Sequence, residues 1–352
     1  MNPKHPASAF MLFLAIWFMI SSTVIGIGGM VIQEVTGIAV NMMVLVIISQ
    51  LAGLLLPLVV WTLITGHGFK KHMPTQPMGT ANYIYVIAIS VLAIPGMMLV
   101  SGITSLFVTN DVGEFLTEAS GTGMPWWLMM LAVAVTPGVI EELVFRGYVQ
   151  SVTKGTVRKV ILLNGLFFSI IHFNLHQAPY TFLLGVLFAY MVYLTKNIWA
   201  GIISHFIVNG INVSFAHWAM NAYTGTGAGA EPITLAQSMY DAFVETDPEL
   251  AQRMYDLFYG VRDEVFAIVT VGIVAIFTTA IAIALLFAFI KHNKNREAMA
   301  AYTQAQLPPA IEDIPEDTDL IETPAPPEKK TFDWCFVALI IIYLALAVGL
   351  ML

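Results

Sequence analysis

Charge and cysteine are what this sequence has little of. Only 11% of its 352 residues are Asp, Glu, Lys or Arg, whereas soluble proteins carry about 25%. Because 58% of the residues are hydrophobic, a water-soluble fold would leave more apolar surface than the charges could offset, and the chain is predicted to lie in a lipid bilayer. The single cysteine, Cys335, excludes an intrachain disulfide and a cysteine-based metal site. The net charge of −8 and the lack of a basic stripe argue against a nucleic-acid partner.

Long apolar runs, in contrast, are abundant. A helix needs about 20 apolar residues to cross the hydrocarbon core, and about nine runs approach that length. They lie near residues 10–32, 40–65, 81–107, 126–150, 159–176, 178–195, 198–218, 264–290 and 332–352. The predicted fold class is therefore all-α, a polytopic transmembrane helical bundle of about eight core spans plus one C-terminal span.

Charge alternates between the connections of the predicted spans. The connections after the even-numbered spans carry Lys70, Lys71, Lys154, Arg158, Lys159, Lys196, Lys291, Lys294, Arg296, Lys329 and Lys330. The opposite connections carry acidic residues, such as Glu34 and Asp111. Since basic loops stay in the cytoplasm, the N-terminus is predicted to be cytoplasmic and the C-terminus outside. The Met-rich, lightly charged spans favour a bacterial cytoplasmic membrane.

The fourth span carries ionisable residues at membrane depth, where charge is costly and usually functional. Glu142 and Arg146 are four residues apart with the acid first, the favourable order for an ion pair on one helix. Glu141 lies about 100° around the helix, so it is the carboxylate left free to act on water or a substrate. Pro137 is expected to bend the helix just before the acids.

The fifth span places three polar or aromatic residues on one broad helical face. Asn164, Phe168 and His172 recur every four residues. A lone His172 would more often be a hydrogen-bonded core residue than a catalytic one. His172 and His176 are four residues apart, as in the zinc-protease motif H-E-x-x-H, but no Glu follows His172. An interfacial role is therefore predicted for His176.

The seventh span carries His205, Asn209 and Asn212 on one stripe. Asn212 fits a packing role, in which it forms hydrogen bonds between helices. Such a role explains His205 and Asn209 less well. At about 1.5 Å per residue from the inner boundary, Glu141 lies roughly 15 Å deep, His172 roughly 18 Å, and His205 and Asn209 roughly 10 and 17 Å. The four residues are therefore predicted to line one cavity, open toward the cytoplasmic side.

This combination satisfies the requirements of amide hydrolysis. A buried glutamate can deprotonate water, and a histidine and an asparagine amide can stabilise the resulting oxyanion. A second histidine can position the water or protonate the leaving amine. No serine or cysteine in the cluster has the partner spacing expected of covalent catalysis.

Three short motifs carry a family resemblance. They are Glu141-Glu142-x-x-x-Arg146, Phe168-x-x-x-His172 and His205-x-x-x-Asn209. In this order, on successive spans, they resemble the CPBP intramembrane proteases (CAAX protease and bacteriocin-processing, or Abi, family). The resemblance covers roughly residues 125–215.

The resemblance implies an endopeptidase that hydrolyses a peptide bond in a membrane-associated or hydrophobic peptide or protein. Glu141 would activate water with the assistance of His172, while His205 and Asn209 would stabilise the oxyanion. The supporting residues would be Glu142, Arg146 and Phe168. The family's glutamate-based mechanism requires no metal or other cofactor, although these ligands also permit zinc.

Six segments follow from composition and resemblance. They are N-terminal spans (1–124), a CPBP-like catalytic core (125–218), an extracytoplasmic loop (219–262), a span (263–297), an acidic Pro-rich cytoplasmic linker (298–331) and a C-terminal span (332–352). The second half of the loop, Leu235 to Val261, has the apolar spacing of one or two amphipathic helices. The linker is predicted to be disordered, and the last span to be an appendage to the core.

Two other functions compete with a peptidase. A catalytically silent scaffold or bacteriocin-immunity protein would keep the polar cluster for structure. A proton-coupled transporter would use the same Glu and His residues as a relay. The transporter is ranked last, because the sequence shows no inverted repeat with paired broken helices.

Overall fold

Helices account for about 85% of the residues that the structure describes, which are 5–66, 73–225, 240–241, 243–258, 263–306 and 333–349. The computed structural model has eleven helices in these ranges and no strand, apart from an isolated bridge between Thr75 and Asn197. The helices are α1 (Pro6–Thr36), α2 (Met42–Thr65), α3 (Thr80–Ser105), α4 (Asp111–Gly121), α5 (Trp126–Val152), α6 (Val157–Ile170), α7 (Ala178–Thr195), α8 (Trp199–Gly225), α9 (Pro248–Phe258), α10 (Asp263–Gln306) and α11 (Trp334–Gly349). The predicted all-α membrane bundle is confirmed.

Seven of these helices are long and apolar enough to cross a membrane, namely α1, α2, α3, α5, α7, α8 and α10. The other two predicted spans are shorter. Helix α6 has 14 residues, which rise about 21 Å against a hydrocarbon core of roughly 30 Å. Helix α11 has 16 residues. The predicted span over 159–176 is therefore wrong in length, since its last residues form turns between α6 and α7.

The early end of α6 has a local cause. Phe173 adopts a left-handed backbone conformation with φ of 46°, which no helix continues. Asn174 then accepts a hydrogen bond at Oδ1 from the backbone N–H of Gln177, and α7 begins with Pro179 in its first turn. His172 consequently lies in a turn just beyond α6 and not on the helical face predicted for it.

The long helix α10 also departs from prediction. It continues to Gln306 and so includes the first residues of the predicted disordered linker. The rest of that linker lies outside the described residues. In the outer loop, α9 accounts for part of the predicted amphipathic segment, and residues 235–239, 242 and 259–261 of that segment are likewise outside the described residues.

Three apolar clusters hold the bundle together. One joins α1, α2, α5, α6 and α11; the second joins α3, α7, α8 and α10; the third joins α2, α4, α5 and α8. Helix α5 belongs to the first and third clusters, and α8 to the second and third. The polar residues of α5 and α8 therefore lie where the clusters meet.

The C-terminal helix α11 packs against this bundle. Leu339 is fully buried in the first cluster, and the Phe336 ring lies 6.1 Å from that of Phe167. At the start of α11, Asp333 accepts hydrogen bonds from the Ser8 hydroxyl and the Phe336 backbone N–H. The last span is thus docked on α1 and α6 and is not the appendage that the sequence predicted.

Candidate active site

Helix α5 is irregular on both sides of its two glutamates. π-helical turns occupy Leu131–Val135 and Leu143–Val149, and such turns often occur at functional sites. Pro137 lacks the N–H that would bond to the carbonyl four residues earlier. That carbonyl belongs to Val133, and it accepts a 2.9 Å hydrogen bond from Nδ2 of Asn209 on α8. The irregularity of α5 therefore ties it to α8 at the predicted site.

Glu142 is the centre of a buried charge network. Its Oε1 lies 2.5 Å from Nη1 of Arg146, so the predicted ion pair within α5 is present. The same oxygen accepts a 3.0 Å hydrogen bond from Nδ1 of His205. Glu142 and Arg146 are at most 1% exposed. A Cβ added at Gly201 would overlap Oε2 of Glu142, so glycine makes room for this carboxylate.

Arg146 is held by more than its charge partner. Its Nη2 donates to the backbone carbonyl of Gly185 over 3.1 Å, and its guanidinium lies 4.4 Å from the ring centre of Phe168 and 5.3 Å from that of Phe188. Helices α6 and α7 approach closely enough for this because Gly165 and Gly185 face each other at their crossing. Phe168 supports the network through this contact.

Glu141 faces away from the ion pair. It is 6% exposed, and its Oε1 accepts a 3.2 Å hydrogen bond from Nε2 of Gln50 on α2. Its Oε2 accepts no hydrogen bond from the described residues and lies 4.0 Å from Nε2 of His205. Each glutamate has one oxygen without a hydrogen bond from the described residues, but Glu142 is paired with Arg146 whereas Glu141 lines the cavity described below.

The two histidines are oriented by different partners. A carbonyl oxygen only accepts, so Nδ1 of His172 must donate to the carbonyl of Phe168, 2.7 Å away. In the same way, Nδ1 of His205 donates to Glu142. In both residues Nε2 remains available. The Phe168 ring packs edge-on against both imidazoles, with centroids 5.1 and 5.7 Å away.

A cavity of about 1000 Å³ brings the predicted residues together. Its wall includes Gln50, Glu141, Phe168, His172, His205, Asn209 and Asn212. Glu142 and Arg146 lie behind this wall. From the site the cavity extends to the end of α3 at Ser105, along α4, and to Met220 on α8. These elements lie at the end of the bundle opposite the basic connections, whereas the cavity was predicted to open on the side of those connections.

His176 has a structural position. It is only 1% exposed, and the interfacial role predicted for it stays a prediction. Its Nε2 contacts the Ser105 hydroxyl over 2.9 Å and the Ser101 carbonyl over 3.2 Å, which ties the turn after α6 to the end of α3.

The donors of the site do not form a ready ligand set for a metal. Within the described residues, no group of three or more His, Cys, Asp or Glu side chains is arranged to hold a metal ion. Nδ1 of both histidines is already bonded to an acceptor, and Oε1 of Glu141 to Gln50. Glu141, His172 and His205 nevertheless all line the cavity.

The three motifs lie in a segment with known relatives. Residues 123–211, from just before α5 to the middle of α8, match the sequence model of the family described as type II CAAX prenyl endopeptidase Rce1-like. The match therefore covers the three motifs and about a quarter of the chain. Comparison of the chain with curated proteins and with solved structures gives no match. The CAAX-protease match supports protease activity of this general kind, and the seven apolar helices support an integral membrane protein.

Residues that the motifs do not include complete the site. Gln50 lies outside the CAAX-protease segment and contacts Glu141 from a different helix. Gly185 and Gly201 act through their backbone or their lack of a side chain. The only sequence signal for Gln50 is its position as a polar residue within an apolar span, and that signal names no partner.

Proposed function

We propose that this protein is an intramembrane endopeptidase in which Glu141 activates a water molecule to hydrolyse a peptide bond. The observation that carries the proposal is the position of Glu141, a buried carboxylate with one hydrogen-bonded oxygen and one unbonded oxygen, on the wall of a 1000 Å³ cavity. The substrate is a membrane-associated or hydrophobic peptide or protein, because the cavity lies inside an apolar helical bundle.

The first step uses Glu141 and His205 together. A water molecule that bonds both Oε2 of Glu141 and Nε2 of His205 at ordinary hydrogen-bond lengths is compatible with their 4.0 Å separation. Glu141 removes a proton from this water, and the oxygen attacks the carbonyl carbon of the peptide bond. Glu142 holds the imidazole of His205 in place during this step.

Stabilisation of the oxyanion falls to His205 and Asn209. The amide nitrogen of Asn209 has two N–H groups, and only one is needed by the Val133 carbonyl. Because Nδ1 of His205 already donates to Glu142, His205 can donate to the oxyanion from Nε2 only in its protonated form.

Collapse of the intermediate requires a proton for the leaving amine. That proton is the one that Glu141 took from water, so the reaction balances without another acid. His172 assists by carrying it, since Nδ1 is fixed on the Phe168 carbonyl while Nε2 is free to accept and release a proton. These reaction steps use no metal. Whether zinc contributes to them is tested by the chelation experiment in the Discussion.

The membrane orientation follows from charge. With the basic connections in the cytoplasm, the N-terminus is cytoplasmic and the cavity extends toward the outer side. The peptide bond that is cut would then lie in the outer half of the bilayer.

Cleavage by the purified protein tests the proposal. Wild type and Glu141→Gln are incubated in detergent with a library of hydrophobic peptides, and the products are identified by mass spectrometry. We expect Glu141→Gln to lower cleavage by about 100-fold or more, as loss of a general base does. The matched control is Glu34→Gln, since Glu34 is an exposed glutamate on α1. Equal cleavage by wild type and Glu141→Gln, or none by either, would favour the scaffold or immunity role.

A further inference from the structure

Within the described part of the chain, the Gln50 side chain makes one hydrogen bond, and that bond goes to Glu141. Its Nε2 lies 3.2 Å from Oε1 of Glu141, 91 residues away in the chain. A carboxylate only accepts, which fixes the amide so that nitrogen faces Glu141. The Oε1 atom of Gln50 is buried and has no partner among the described residues, and the residue lines the same cavity as the site.

A purely structural role does not explain this arrangement. Buried polar atoms normally have partners, and an exception calls for an explanation. Gln150 on α5 offers a comparison within the chain, since its Oε1 is also buried and unpartnered. Its Nε2, however, donates to the Ala189 backbone carbonyl, which ties α5 to α7. The amide of Gln50 reaches a side chain of the site and no backbone group.

The local structure of α2 keeps Gln50 in this position. The residue lies at the end of a regular helical turn, directly before the π-helical turn Leu51–Leu55. Gly53 in that turn lets Phe18 of α1 approach, where a Cβ would overlap its ring. Helix α2 is thereby packed between α1 and α5, with Gln50 facing Glu141.

The bond has a consequence for which oxygen of Glu141 reacts. Because Oε1 is engaged by Gln50, Oε2 is the oxygen without a hydrogen bond, and it is the one that faces His205. A carboxylate free to rotate would present either oxygen to the cavity. The amide of Gln50 prevents that rotation and leaves the reactive oxygen beside the imidazole.

We infer that Gln50 is a positioning residue for Glu141, which it holds so that Oε2 takes the proton of the attacking water. This inference rests on the proposed function for its kinetic effect. It extends the site beyond the segment matched by the family, because Gln50 lies on α2, well before residue 123.

Kinetics of Gln50→Leu, Gln50→Glu and Gln150→Leu test the inference. Leucine removes the donor at similar size, and we expect kcat to fall about 10- to 100-fold with little change in KM, as for loss of a hydrogen bond to a charged group. Glutamate keeps the shape but places a second carboxylate beside Glu141, so kcat should fall further. Gln150→Leu should keep wild-type kcat even if it lowers the unfolding midpoint. Wild-type kcat in a folded Gln50→Leu variant would overturn the inference.

An infrared measurement separates this inference from the proposed function. The difference spectrum between wild type and Glu141→Gln isolates the carboxyl or carboxylate band of Glu141. We expect that band to move when the same difference is taken in the Gln50→Leu background, and to stay in place with Gln150→Leu. An unmoved band overturns the inference even if the enzyme cleaves peptides. A moved band in a protein that cleaves nothing supports the contact and rejects the peptidase.

Discussion

Glu142 and His205 are joined by a 3.0 Å hydrogen bond between Oε1 of the carboxylate and Nδ1 of the ring, although they lie on different helices. The same oxygen is the partner of Arg146. One carboxylate oxygen thus neutralises a buried cation and orients the imidazole that faces Glu141. The buried ion pair and the orientation of His205 therefore depend on the same atom.

Removing Glu142 alone should damage the fold severely. In Glu142→Leu the Arg146 guanidinium stays buried without a counter-charge, which costs about 3–5 kcal/mol. The double variant Glu142→Leu/Arg146→Met removes both charges and should be more stable than the single variant. Unfolding in detergent, by heat or by SDS, measures the stability of the single and the double variant. If the double variant is as unstable as the single one, the unpaired charge of Arg146 is not the cause of the lost stability.

Gly201→Ala should reduce cleavage by displacing Glu142. The added methyl group would overlap the Glu142 carboxylate, which Arg146 and His205 prevent from moving freely. Since a displacement of about 1 Å in an active site can cost about 100-fold, we expect kcat to fall about 10- to 100-fold.

The matched control for this variant is Gly26→Ala. A Cβ at Gly26, in the exposed part of α1, meets no atom within 4 Å, and alanine should stabilise that helix by about 0.5–1 kcal/mol. Equal activity of the two variants would show that the space at Gly201 is not needed.

Helix α11 should contribute to stability through one face only. Leu339 is fully buried against the bundle, whereas Leu344 on the same helix is 52% exposed. Leu339→Ala should cost about 2 kcal/mol or more through the cavity it leaves. Leu344→Ala should have little effect. Similar unfolding midpoints for the two variants would show that α11 is not docked as described.

Zinc chelation should leave cleavage intact. The proposed steps use Glu141, water and the imidazoles, and no described group of three ligands is arranged for a metal. The measurement is the cleavage rate after dialysis against a strong chelator, followed by metal analysis of the protein. A loss of activity that zinc alone restores would reject the metal-free sequence of steps.

Contacts within one helix could be predicted from the sequence. The Glu142–Arg146 pair needs only helical spacing, and the difference between the two glutamates follows from the same geometry. The estimated depths of Glu141, His172, His205 and Asn209 along their spans also predicted that they line one cavity, and the structure shows this. Their catalytic roles remain predictions.

Contacts between helices could not be predicted in this way. His205 is 63 residues from Glu142 and Gln50 is 91 residues from Glu141, and no periodicity relates helices that meet only in the packed bundle. The end of α6 was also missed, because it depends on a left-handed Phe173, a conformation that the residue type does not favour. The direction of the cavity depends on how α4 and the end of α8 pack, which span boundaries alone do not determine.

The bond between Asn209 and Val133 changes how a loss of function at Asn209 should be interpreted. An Asn209→Ala variant removes a proposed oxyanion donor and also removes the hydrogen bond to the Val133 carbonyl of α5, four residues before Pro137. Low activity of that variant alone could therefore reflect a distorted α5. In a Pro137→Ala background, residue 137 regains a backbone N–H. That N–H can bond to the Val133 carbonyl in place of Asn209. The activity that Asn209→Ala still loses in that background then measures the proposed role of Asn209 as an oxyanion donor.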